Sequence, residues 1–159
     1  MLRLLDSHTA DLVIWPARPE PVRIAVACPA GEATLRELRA VVVADLVRRV
    51  LQDRYGFDVG VTMSPSPGRH AADLRRDLTS LGVAPLAHAE GRDGAPHLTV
   101  DTGRRGGGDT ARLSVGPVTP ASVTLAALTR GRHDRLAIRL ALLAPGHHRP
   151  VSLGPTRLH

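Results

Sequence analysis

Lysine is missing altogether, so all 21 positive residues of this 159-residue chain are arginine. A Walker-type phosphate loop needs its Lys-Ser/Thr pair, and that reading is closed. Cysteine occurs once, at Cys28, which excludes an internal disulfide and any site built from two thiolates. Aromatics are reduced to one Trp, one Tyr and one Phe. The core must then be made of Val, Leu, Ala and Ile, and little remains for stacking on nucleic-acid bases. No run of about 18 apolar residues and no signal-peptide pattern is present, so a soluble, cytoplasmic protein is expected, with neither a membrane nor DNA as partner. Against 15 acids the arginines leave a formal charge of +6, enough to attract polyanions without identifying one. An arginine- and alanine-rich, lysine-free composition is also what a GC-rich bacterial genome imposes. With 43% hydrophobic residues, 159 positions make one domain of ordinary size.

The stretch from residue 22 to 59 organises the rest. It reads as a strand containing Ile24 and Val26, a glycine-bearing turn, a long helix, and a second strand from Phe57 to Val61. That is the opening βαβ unit of a nucleotide-binding α/β fold. Leu35, Leu38, Val42, Leu46 and Val50, widened by Val43 and Val47, follow the three-and-four spacing of a helix face pressed onto a sheet. Arg36, Arg39, Arg48, Arg49 and Asp53 are expected to point mostly outward. At the head of the helix, Thr34 and Glu37 have the spacing of a capping box, in which threonine oxygen and glutamate carboxylate satisfy each other's backbone N–H. A helix start that could have held an anion then carries one of its own.

The remaining segments are less regular. Residues 1–21 form an N-terminal lead-in, with short strands about Leu4 and Val13 and an extended approach forced by Pro16, Pro19 and Pro21. After a Pro/Ser/Gly loop comes a short helix with Leu74, Leu78 and Leu81 on one side, closed by Gly82. Residues 97–100 are a strand candidate, and residues 101–110 read as a flexible Gly/Arg linker. Two helices follow, over residues 122–129 and 133–143. Leu136, Ile138, Leu140, Leu142 and Leu143 make the second apolar enough to be buried on most sides.

Several of these segments resemble one family. The start, Leu2-Arg3-Leu4-Leu5-Asp6, is similar to the "LRLYDT" opening of cysteinyl-tRNA synthetases and of mycothiol cysteine ligases. Cys28 stands where that family's first core strand ends in cysteine. Val42 to Leu51 resembles its "VVFDLLRRVL" helix, residues 70–85 its "DMAALGVLPP" helix, and residues 133–143 its "DPAAIRLALLAHHYR" helix. The resemblance implies a reduced class I synthetase-like, Rossmann-type α/β domain, with a small, mainly parallel sheet and helices on both faces. It also implies a single unit over residues 1–159, in which the 101–110 linker replaces an internal insertion.

The same resemblance fails at the signatures. Its HIGH positions fall on Thr34, Leu35, Arg36 and Glu37, so both phosphate-binding histidines and the glycine are gone. Glu37 places a carboxylate where phosphates would lie. Ala111 to Pro120 looks like an eroded KMSKS loop, mobile in the family, in which Arg112, Leu113 and Ser114 replace the signature and only Arg112 is cationic. The family's zinc would use Cys28 as one ligand, but the companions are lacking. His147 and His148 are adjacent and diverge, and His70, His88, His97 and His133 stand beside no usable nucleophile or carboxylate pair. Neither ATP nor zinc is expected as a cofactor, and no catalytic residue is expected. The expectation is a catalytically degenerate synthetase-like protein that works by protein–protein contact, as a homodimer or on a partner enzyme. Two alternatives stand beside it: a residual cysteine- or aminoacyl-adenylate-binding ligase of the same family, and an RNA-binding module.

Overall fold

The computed structural model describes residues 3–5, 12–14, 21–27, 34–64, 71–84, 86–88, 95–102, 110–119, 124–130 and 134–153. Strands β1 (Arg3–Leu5) and β2 (Leu12–Ile14) pair antiparallel within the lead-in. Then follow β3 (Val22–Ala27), α1 (Leu35–Tyr55), β4 (Val59–Ser64), α2 (Ala71–Ser80), β5 (Ala87–His88), β6 (Leu98–Asp101) and β7 (Ala111–Ser114). The chain continues through β8 (Val118–Thr119), α3 (Leu125–Arg130), α4 (Arg135–Leu143) and β9 (Val151–Ser152).

The main sheet has the order β5-β4-β3-β6-β7 and is parallel throughout. Strand order therefore reverses between β3 and β6, consistent with a Rossmann-like α/β fold with its switch point at that pair. A second, two-residue parallel pair joins β8 to β9 through Val118 and Val151. Alternation along the strands gives the main sheet two unlike faces. Val22, Ile24, Val26, Val59, Val61, Met63, Leu98, Val100 and Leu113 are buried on one, and α1 lies against β3, β4 and β6 there. Arg23, Ala25, Thr62, Thr99 and Arg112 alternate onto the other and are only partly covered.

Helix α1 is the expected helix with an unexpected environment. It is enclosed by the sheet on one side and by α2 and α4 elsewhere. Of residues 35–45 only Arg36 escapes burial. Arg39, expected to point outward, is 0% exposed, while Leu46 and Val50, expected on the buried stripe, are 43% and 40% exposed. The spacing explains both corrections: positions 39, 46 and 50 share one side of the helix. At Arg39 that side is roofed by the end of α4 and the turn after it; further along the helix it is open. Beyond Leu51 the chain leaves the helix at Gly56, whose φ of 68° is the left-handed cap conformation that glycine adopts without strain.

Helix α2 matches its expectation, with Leu74, Leu78 and Leu81 buried and Gly82 at a φ of 70° beyond its end. Helix α4 does not. Ile138 and Leu142 are buried, but Leu136 and Leu140 are 63% and 57% exposed, because α4 meets the core through one stripe only. The stretch likened to a mobile KMSKS loop is fixed in strands: Ala111–Ser114 is β7, in register with Leu98–Asp101, and Val118–Thr119 is β8. The linker expected over 101–110 begins inside β6 and ends at the start of β7, and so connects two parallel neighbours; residues 103–109 lie outside the described residues.

Gly116, between β7 and β8, is required for a packing reason. A β-carbon there would sit 2.4 Å from the carbonyl oxygen of Arg149 and 2.7 Å from that of His148, both backbone atoms. Gly116→Ala is accordingly expected to cost about 2 kcal/mol or more, as overpacking does. Urea denaturation checks it, with Gly146→Ala as the comparison: its added carbon would meet the His148 ring at an ordinary 3.4 Å, and its midpoint should stay close to that of the unaltered protein.

Candidate functional site

In an open parallel α/β sheet the place for a ligand is outside the carboxyl ends of the strands, at the switch point. Here that place is bounded by the start of α1 and the end of β6. Four of the residues singled out from the sequence come together at it. Thr34 is the N-cap of α1, in extended conformation, and the capping box closes with Glu37. The Thr34 backbone N–H donates to Glu37 Oε2 at 2.7 Å, and the Thr34 hydroxyl donates to the same oxygen. Leu35 is 1% exposed and belongs to the core. Arg36 reaches from the helix to β6, where its Nη2 donates to the carbonyl oxygen of Thr102. Glu37, Asp101 and Thr102 are 8%, 7% and 5% exposed, so the buried polar groups gather at this end of the sheet.

The other three lie farther out. Arg112, Leu113 and Ser114 occupy β7, at the sheet edge, with Ser114 opposite Asp101 and Arg112 opposite Thr99. Leu113 is buried on the α1 side, so its neighbour Arg112 projects to the opposite face. Arg36 and Arg112 thus stand at different levels and on different faces. Cys28 lies outside the described residues. Among the described residues, no group of three or more His, Cys, Asp or Glu side chains is placed to hold a metal ion. None of the helices among them is long and apolar enough to cross a membrane.

Two charged residues missed in the sequence hold this site in place. Among the described residues Arg39 is the largest fully buried side chain, and its hydrogen bonds go to backbone carbonyls. Nε donates to Leu142 at 2.9 Å, and Nη1 donates to Gly116 at 2.8 Å and Arg149 at 2.7 Å. Nη2 donates to Pro145 and Gly146, both at 3.2 Å. Burial lowers the pKa of this guanidinium. What compensates is the end of α4, where outward-pointing carbonyls carry the negative pole of the helix. The signal was present: a charge at position 39 falls three, four and seven residues before Val42, Val43 and Leu46, inside the apolar spacing and not opposite it.

Asp45 is the counterpart, a carboxylate 1% exposed and surrounded by cations. Arg48 Nη2 binds Oδ1 at 2.7 Å, and Arg49 Nε and Arg139 Nη2 bind Oδ2, each at 2.9 Å. Two of these arginines also hold the end of α2: Arg49 donates to the Gly82 carbonyl at 2.7 Å and Arg139 to that of Leu81 at 2.6 Å. One carboxylate therefore ties α1, α2 and α4 together. Burial by itself would raise the Asp45 pKa, but the hydrogen bonds from Arg48, Arg49 and Arg139 outweigh it and hold the carboxyl below its usual range.

The chain matches no protein-family model and no curated protein.

Both nodes make predictions. Arg39→Met leaves five carbonyls without their donor and is expected to cost on the order of 3 kcal/mol or more. Arg39→Lys keeps the charge but not the fork, so in chemical denaturation it should recover only part of that loss. Asp45 has a depressed folded-state pKa, so its contribution is complete above the unfolded value of about 3.9 and disappears as pH falls through the folded value. Melting curves of the unaltered protein and Asp45→Asn, compared from neutral pH downward, should therefore converge in the acid range. A gap that stays constant into strong acid would contradict this assignment.

Proposed function

We propose that this protein is a catalytically silent α/β domain of synthetase-like build, without adenylation activity, that works through contact with another protein chain. The observation that carries the reading is the Glu37 carboxylate at the start of α1. In nucleotide-binding α/β folds, the free N–H groups of this helix turn and its positive pole receive phosphate. Here the Thr34 N–H is committed to Glu37 and a negative charge already occupies the turn. A triphosphate arriving there would meet a like charge in a partly desolvated place. Arg36, the cation in the first turn of α1, is tied to the Thr102 carbonyl. The strand order supports the synthetase-like build, and the exposed pair Leu136 and Leu140 on α4 supports a role in contact.

A thermal-shift titration separates this reading from that of a residual cysteine or adenylate ligase. Millimolar Mg-ATP, cysteine, or both together are expected to leave the melting temperature unchanged, since a ligand that binds only the folded state must raise it. A saturable rise with ATP that grows in Glu37→Gln would place nucleotide at α1 and overturn the proposal. For the contact role, light scattering on protein purified from its own host is expected to show a particle heavier than one chain. Leu136→Glu with Leu140→Glu should return it to a single chain without lowering the melting temperature. A binding curve falling steeply with salt on a generic RNA would instead favour the nucleic-acid reading.

A further inference from the structure

The formal charge of the molecule is not spread evenly along it. Residues 1–109 hold 14 arginines and 14 acids, whereas residues 110–159 hold seven arginines and a single acid, Asp134, so the whole +6 belongs to the last 50 residues. Asp134 is itself spent locally: it is the N-cap of α4, where its side chain accepts the Leu136 N–H at 2.6 Å. The same 50 residues contain no Trp, Tyr or Phe.

Helix α4 sorts this composition onto separate sides. Ile138 and Leu142 turn into the core, and Leu136 and Leu140, one turn apart, stand on the opposite side at 63% and 57% exposure. Arg135 and Arg139, also one turn apart, form one flank of the leucine pair, and Ala137 and Ala141 form the other. Arg135 is exposed. Arg139 joins Arg48 and Arg49 around Asp45, where three cations share one carboxylate and two positive charges are left over. Asp77 of α2 interacts with Arg135, which leaves the surplus at the Asp45 node untouched. The leucine pair is thus bordered by net positive charge on the side of α1 and α2 and by uncharged alanines on the other.

We propose, resting on the protein-contact reading above, that this face of α4 docks an acidic amphipathic helix of a different protein, with apolar side chains over Leu136 and Leu140 and carboxylates beside Arg135 and the Asp45 node. Anchors one turn apart on an exposed helix match apolar residues at three- and four-residue spacing on a partner helix. The leucines supply the affinity, and the charge sets the register and speeds the encounter. Two other occupants fit worse. A second copy brings the same basic half, and an isologous contact would lay like charge against like. A nucleic acid would be drawn by the arginines, but it finds no aromatic ring in residues 110–159 to stack on and would have to cover two exposed leucines.

Fluorescence anisotropy on the full chain tests the docking face with two labelled helical peptides. Both carry leucines at three- and four-residue spacing; the flanking positions are glutamate in one and lysine in the other. The glutamate peptide is expected to bind saturably, one per chain, and about tenfold or more tighter than the lysine peptide. Its affinity should fall by about tenfold between about 50 mM and about 300 mM salt. Leu136→Glu with Leu140→Glu should abolish binding, and Arg135→Glu should weaken it by about fivefold. Neither variant should lower the melting temperature, since all three residues are exposed. Equal binding of the two peptides, binding of neither, an affinity indifferent to salt, or binding that survives the leucine variant overturns the proposal. So does a generic RNA that binds this face tighter than the glutamate peptide. A dimer of the purified protein that the leucine variant disperses also overturns it, with a second copy as the occupant and the contact reading left standing. The contact reading itself falls if the leucine variant leaves the particle purified from the host intact.

Discussion

The structure turns on the hydrogen bonding of one guanidinium. Arg39 is a full charge with no carboxylate among its hydrogen-bond partners, placed at 0% exposure in the middle of the molecule. It is tolerable there because five carbonyl oxygens, from the end of α4, the turn after it and Gly116, take every one of its N–H groups. That requirement settles how the layers stack. The end of α4 must lie over the first half of α1, and the turn must pass close enough to Gly116 that no side chain fits between. A buried cation satisfied only by neutral oxygens gives up the long-range attraction of an ion pair and demands tight geometry in return.

Two turns further along α1 the polarity is inverted. Asp45 is an anion held by three cations, and those cations reach on to the carbonyls at the end of α2. Between them the two nodes fix α1 against both helices that flank it, and by doing so they fix where α1 begins. Glu37 and Arg36 are consequences of that placement. With the helix start held above the ends of β3 and β6, a carboxylate three residues in returns to the cap, and the arginine beside it spans to Thr102. The arrangement fills with the chain's own groups the position at which folds of this order accept a phosphate.

Much of this was legible in the sequence. The βαβ unit, the capping box at Thr34 and Glu37, and the leucine stripe and terminal glycine of α2 all follow from local spacing, and local spacing is what a helix or strand obeys. What could not be read depends on groups distant in the chain. Arg39 is expected to point outward as a charged residue, and its partners are carbonyls, which leave no trace in the identity of the side chains. Leu46 and Val50 are expected in the core because the periodic stripe continues through them, although the layer that covers it stops short. The strands β7 and β8 are obscured differently: the stretch resembles a mobile loop, although the alternation of Arg112 and Leu113 is strand-like on its own terms. Leu136 and Leu140 repeat the case of Leu46 and Val50: high apolar content implies burial on most sides, but α4 meets the core through one stripe only.

The sequence separation inside the Arg39 cage has a bearing on how the molecule comes into being. Its most distant bond closes across 110 residues, and the Leu142 bond across 103. Helix α1 is synthesised about a hundred residues before those partners and can form locally, yet its central charge has no permanent home until the ribosome has delivered the turn at 145–149. Until then the arginine must stay hydrated, which keeps the first half of α1 from settling into its final dry environment. The chain between these points therefore compacts fully only once that contact is made, in a step limited by long-range closure rather than by helix formation.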